Sequence, residues 1–197
     1  MSSQRLNALI LAGGHSRRMG SDKAGIEIDG QSLIARTFVL ASEFCEVCRV
    51  SVRPDQMNDP LRAGLNPLPD TRPGEGPLAG ILAAFESDPT ADWLVLACDM
   101  PGLSREGIQW LVDAARDIPE APAVSLTSPD SDLPEPLCAI WRPALSAPVV
   151  ASLDAGRRCA RKLLINAGAA LVPAPSADVV ANMNTPQDRD AWTGAIS

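Results

Sequence analysis

The chain has 197 residues, of which 46% are apolar and 21% charged, and its formal net charge is −7. That length and apolar fraction fit one domain with a full core, and the acidic balance argues against a nucleic-acid binder, which needs a basic face for the phosphate backbone. No uninterrupted apolar stretch reaches the ~18 residues of a membrane helix. The opening Met-Ser-Ser-Gln-Arg leads straight into a strand-like run without a cleavable leader, so a cytoplasmic location is expected.

Leu6–Leu11 is apolar except for Asn7 and predicts a buried parallel strand. The loop that follows is Ala12-Gly13-Gly14-His15-Ser16-Arg17-Arg18-Met19-Gly20-Ser21-Asp22-Lys23. Glycines let a backbone close on a ligand with its N–H groups turned inward, and Arg18 and Lys23 supply charge for phosphoryl oxygens. Two familiar phosphate loops do not fit. Ser21-Asp22 separates Gly20 from Lys23, which breaks the Gly-Lys-Ser/Thr order, and Gly13-Gly14 has the wrong spacing for the dinucleotide fingerprint. The bland alternative is a glycine-rich strand–helix turn with a solvated basic patch.

Ile26–Gln31 reads as a short strand and turn, Ser32–Glu43 as an amphipathic helix and Val47–Val52 as a second core strand. Pro54 and Pro60 begin a connection. Residues 67–77 hold four prolines, two glycines, Asp70, Arg72 and Glu75, and are expected to form a loop that runs into a helix at Leu78. Trp93–Cys98 is the third strand, ending at Asp99-Met100-Pro101. A carboxylate at the end of a buried strand points into the crevice of the first loop and suits Mg²⁺, which takes one or two carboxylates with phosphate oxygens and water; a turn aspartate is the plain alternative.

A helix is expected over Ser104–Arg116, with Ser104 as N-cap and Gly107 as a weak spot. Strands follow at Ala123–Leu126 and Leu137–Trp141, separated by a polar turn at Ser128–Asp132. Helical segments run from Pro143 to Leu153 and from Arg158 to Ala167, a strand covers Ala169–Pro173, and Val179–Met183 leads to a short helix after Pro186. Arg157, Arg158, Arg161 and Lys162 are a basic cluster that suits an anionic substrate or a solvated helix face. Cys45 and Cys48 form a Cys-x-x-Cys, but no second pair completes a metal site, and free thiols beside a strand are the simpler reading. Alternating strands and helices in the first half predict an α/β, Rossmann-like, doubly wound, mostly parallel sheet flanked by helices, with ligands at the carboxyl ends of its strands.

The opening loop resembles the signature loop of nucleotidyltransferases, and most closely that of the molybdenum cofactor guanylyltransferases. Three more blocks extend the resemblance over nearly the whole chain: Asp70–Gly80, Leu96–Pro101 and Asn182–Pro186. It implies a nucleotide-diphospho-sugar-transferase-like fold in one domain, 1–197, with 1–105 as the nucleotide half and 106–197 as the second-substrate half. It implies GMP transfer from GTP to molybdopterin with release of pyrophosphate. Lys23, Arg18 and Asp99 would be catalytic and Asp99 the Mg²⁺ ligand. Leu11, Ala12, Gly13, Gly14, Lys23, Ser51, Asp70, Gly76, Pro77, Leu78 and Asp99 would bind the nucleotide, and Glu135, Asn182 and Asn184 would face the second substrate. Asn182 and Asn184 alternate along an extended segment, so both can point into the site. A monomer with transient contact to cofactor-biosynthesis proteins is expected. The chain departs from the pattern at Ser51, where relatives often carry asparagine. The alternatives are a cytidylyltransferase on the same cofactor, a sugar- or alcohol-phosphate nucleotidyltransferase, and a non-catalytic nucleotide-binding domain.

Overall fold

The long apolar strands stack at the centre of the molecule. The computed structural model describes residues 5–12, 22–128, 131–185, 187–188 and 192. Strand β1 (Leu6–Leu11) is flanked on one side by β4 (Cys48–Val52) and on the other by β6 (Asp92–Ala97), both parallel to it. The edge beyond β4 is β5 (Pro67–Pro69). Beyond β6 come β8 (Pro134–Trp141), which is antiparallel to its neighbours, then β7 (Ala123–Thr127) and β9 (Ala170–Pro173). The expected doubly wound, mostly parallel sheet is therefore present, with seven strands in the order β5-β4-β1-β6-β8-β7-β9. A small ribbon of β2 (Glu27–Ile28) and β3 (Gln31–Ser32) stands apart from it.

Alternation along β1 assigns its side chains to two cores. Ala8 and Ile10 pack with Ile34 and Ala41 of α1 (Leu33–Ser42) and with Ile108 and Leu111 of α4 (Arg105–Asp117). Leu9 faces the other layer, with Ile81 and Phe85 of α3 (Pro77–Ser87), Val149 of α5 (Ser146–Asp154) and Leu164 of α6 (Ala160–Ala167). Covering both faces is what lets the central strands be apolar throughout.

Caps place the helix starts. Ser32 accepts from the Ala35 amide at 3.4 Å and Ser104 from the Gly107 amide at 3.2 Å. Gly107 is a packing requirement: a Cβ there would lie 2.7 Å from Val179 Cγ1. That close approach seats the 3₁₀ turn Ala177–Val180 on α4 and aims the following 181–185 segment at the sheet's carboxyl edge.

Three features differ from the expectation. Pro67–Pro69 is a short edge strand, tolerated because proline's missing N–H is least costly at an edge. Here Val50 donates to the Asn66 carbonyl and Asp70 to that of Val52. Strand β8 starts at Pro134 rather than Leu137, so Glu135 lies on a strand. A four-residue helix, α2 (Pro60–Ala63), capped by Asp59, occupies the connection between β4 and β5. Among the described residues, no helix is long and apolar enough to cross a membrane. The final short helix lies mostly outside the described residues.

Candidate active site

The chain moves from β1 to β4 and β5 on one side and returns to β6 on the other, so the order reverses beside β1. The carboxyl ends of β1 and β6 flank that switch point, where open α/β sheets bind ligands. A cleft of about 300 Å³ opens there. Leu11 and Ala12 line it from the end of β1, Ser51 from β4, Asp70 from just past β5, and Asp99 from just past β6. Gly76 and Pro77 form its wall at the start of α3. Gly76 takes φ 72° and ψ −157°, a region that only glycine enters without strain.

At one end, Asp22 caps a 3₁₀ turn, Lys23–Gly25, by accepting from the Ala24 amide at 3.1 Å. The turn directs Lys23 across the cleft. Its ammonium donates to Asp99 Oδ2 at 3.3 Å and to Asn184 Oδ1 at 2.8 Å. The Asp99 carbonyl accepts from the Met183 amide at 2.8 Å, so the 181–185 segment is tied to the end of β6 by backbone as well as side chain. Met183 is buried with Ile28 and Leu33, which turns its neighbours away from that core. Asn184 reaches Lys23, whereas Asn182 donates to the Val180 carbonyl at 3.4 Å and stays on its own turn. Asp188 accepts from the amides of Asn184 and Thr185, both at 2.8 Å, and fixes the segment's far end.

At the other end, Ser51 donates to Asp70 Oδ1 at 2.8 Å. Burial raises the Asp70 carboxyl above the ordinary aspartate value, and the Ser51 hydroxyl and nearby Arg53 partly offset the rise. Gly80 on α3 packs against this pair; a Cβ there would stand 2.5 Å from Ser51 Oγ and 2.8 Å from Leu11 Cδ2.

Glu135 on β8 is held by Arg161 at 3.3 Å and by the Leu137 amide at 3.3 Å. Burial raises its carboxyl, those two contacts offset the rise, and the Asp99 charge adds to it; it is Leu137, two residues along β8, that lines the cleft. Arg158 pairs with Glu75, and Arg72 with Asp154 at 2.6 Å, tying the loop before α3 to the end of α5 and to the connection that leads into α6. Leu78 is buried in the core beneath the cleft. Gly13, Gly14 and Arg18 lie outside the described residues.

Sequence reasoning missed Asp22 as a cap, Arg53 beside Asp70, and Arg62. The Asp59-Pro60 pair is a helix-start signature and signals α2. Nothing in the local pattern signals that Arg62 is fully buried.

No group of three or more metal-ligating side chains forms among the described residues. Asp22 divides its two oxygens between the Ala24 amide and Arg62. Asp99 remains as one partly exposed carboxylate at the cleft, which fits a cation held mainly by substrate phosphates and water.

The sequence model described as MobA-like NTP transferase domain matches residues 8–191. A molybdenum cofactor biosynthesis bifunctional protein of Synechocystis sp. is 32% identical over 188 residues, and the match spans 95% of this chain and about half, 54%, of that protein. A molybdenum cofactor guanylyltransferase of Rhodobacter capsulatus is 37% identical over 194 residues, covering 93% of each. The crystal structure of molybdopterin-guanine dinucleotide biosynthesis protein A from Archaeoglobus fulgidus superposes with a TM-score of 0.79 over 96% of this chain and 98% of that one; at 22% identity it speaks to the fold alone.

Proposed function

This chain belongs to the MobA-like NTP transferase family, and from that premise we propose that it transfers GMP from GTP to molybdopterin, forming the guanine dinucleotide cofactor and releasing pyrophosphate. The observation that carries the reading is the division of one cleft into two ends. Lys23 and Asp99 meet at the switch point, and Ser51 and Asp70 meet at the neighbouring strand ends.

The Ser51–Asp70 end is the base pocket. A carboxylate accepts from adjacent N–H groups, and guanine presents N1–H and N2–H₂ together. Gly76 and Pro77 close the pocket, while Leu11 and Ala12 offer backbone beside the nucleoside. Lys23 is the phosphate cation, with Arg18 as its partner from the preceding loop. Lys23 is held by Asp99 and Asn184, which aims it across the cleft. Asn184, bonded to Lys23, and Glu135 on β8 face the second substrate, whereas Asn182, turned to the Val180 carbonyl, is left out of that role.

Asp99 is the residue that would hold Mg²⁺. When bound, that ion neutralises charge on the triphosphate and orients it. In the transfer itself, a terminal phosphate oxygen of molybdopterin bonds to the α-phosphorus of GTP. The bond from the α-phosphorus to its bridging oxygen breaks, and pyrophosphate leaves with the electron pair. The attacking phosphate is already ionised, so no general base is required. What the chain contributes is position and charge, the main terms in this chemistry.

The test is transfer of label from α-³²P-GTP to molybdopterin, followed as a guanine dinucleotide product. Labelled product supports the reading. Label that stays in GTP, with acceptor and Mg²⁺ present, overturns it.

A further inference from the structure

Arg62 is fully buried, although a guanidinium in the interior carries a large desolvation cost. It lies on α2, in a connection that reads from sequence as a plain crossover. Its fork joins three segments. One nitrogen pairs with Asp59, the cap of its own helix. The other donates to the Ala12 carbonyl at 3.0 Å and to Asp22 Oδ2. Its Nε is buried with no hydrogen-bond partner. A buried ion pair of this kind is a weak source of net stability, since well-packed apolar residues often do as well. What an apolar residue cannot do is hold a carbonyl and a carboxylate from two different segments at once.

The two groups it holds are Ala12, the residue just after β1, and the cap of the turn that carries Lys23. Asp22 gives Oδ2 to Arg62 and Oδ1 to the Ala24 amide, so fixing one oxygen fixes the turn hung from the other. Leu61, the neighbour of Arg62, packs against that turn, 3.4 Å from where a Cβ of Gly25 would lie. The turn in turn aims Lys23 at Asp99 and Asn184. Arg62 also neutralises Asp22, whose charge would otherwise oppose a polyphosphate arriving beside Lys23.

We propose that Arg62 is a positioning residue for the triphosphate. It touches no substrate; acting through Asp22 and Ala12, it sets where Lys23 meets the phosphates. The inference rests on the nucleotide-transfer reading above.

The test compares GTP with GMP, because a defect in aiming Lys23 harms the nucleotide with more phosphates and leaves the Ser51–Asp70 pocket intact. Binding of each is measured by titration calorimetry on wild type, Arg62→Met and Arg62→Lys. In Arg62→Met the GTP dissociation constant is expected to rise roughly tenfold or more while that of GMP changes less than about twofold, and Arg62→Lys recovers part of the loss. Equal weakening of GTP and GMP, or no change for either in a folded variant, overturns the proposal. Should Arg62→Met not fold, Asp22→Asn replaces it, since asparagine keeps the cap and loses the charge pair; the same GTP-selective loss is expected, and its absence overturns the proposal. A wild-type protein that binds GMP and GTP equally well removes the role of Lys23 and this inference with it. One that binds no guanine nucleotide overturns the functional reading itself.

Discussion

The Ser51 hydroxyl donates to Asp70 Oδ1 at 2.8 Å, a bond that ties the ends of two parallel strands and places a buried carboxylate beside the nucleotide cleft. Removing a donor to a charged group costs about 1.5–3 kcal/mol. Ser51→Ala is therefore expected to raise the Asp70 carboxyl further and to weaken GTP by roughly tenfold in KM with kcat little changed. Steady-state kinetics at saturating acceptor checks this; an unchanged KM would separate Ser51 from base recognition.

The direction of the Asp70 shift sets a pH dependence. Burial holds its folded value above the unfolded one, so folded protein keeps a proton at a pH where unfolded chain has released it. The associated stability is complete below the unfolded value and declines as pH rises through the folded one. Asp70→Asn is accordingly expected to melt no lower than wild type at neutral pH while losing GTP affinity. In wild type, protonation removes an acceptor from the base pocket, so the GTP KM rises on acidification at a pH above the ordinary aspartate range. A profile of kcat/KM that stays flat down to that range would contradict the assignment.

Gly80 sits where a methyl group would meet Ser51 Oγ and Leu11 Cδ2 at 2.5 and 2.8 Å. Gly80→Ala is expected to cost about 1–3 kcal/mol of stability through overpacking and to displace the base pocket. Urea denaturation with GTP titration measures both. Wild-type affinity in the folded variant would show that the pocket tolerates the shift.

The Cys-x-x-Cys gives an expected negative result. Burial pushes the Cys45 thiol up to about 12 and the Cys48 thiol up to about 11. Nucleophilic thiols are thiolates, so neither should react with iodoacetamide at neutral pH, and Cys45→Ser with Cys48→Ser should retain activity. Exposed Cys159 is the site where alkylation is expected in peptide mass spectra. Loss of activity on modification of Cys45 would reopen a redox role.

Much of this was legible in the chain because apolar periodicity reports burial directly. Leu6–Leu11 and Trp93–Cys98 read as central strands, and the residues just after them, Ala12 and Asp99, fall at the switch point for that reason. Edge strand β5 was hidden by Pro67 and Pro69, which argue against a strand everywhere except at an edge. Gly107 read as a helix weak spot because propensity is local, whereas its contact with Val179 is tertiary. Asn182 and Asn184 read as equivalent by alternation. They are not, since the 3₁₀ turn before them offers Asn182 the Val180 carbonyl. Arg62 was silent because its partners, Ala12 and Asp22, are distant in sequence and meet it only in the fold.

The central claim is that Lys23 and Asp99 form the charge-handling end of a guanylyl-transfer site. Pyrophosphate release with molybdopterin and Mg²⁺ tests it most directly, comparing GTP with CTP in wild type and in Asp99→Ala. Wild type is expected to turn over GTP faster than CTP, and Asp99→Ala to lose roughly a hundredfold or more in kcat/KM for GTP, as fits removal of a charge-stabilising group. Faster turnover of CTP, or full activity in Asp99→Ala, would contradict it.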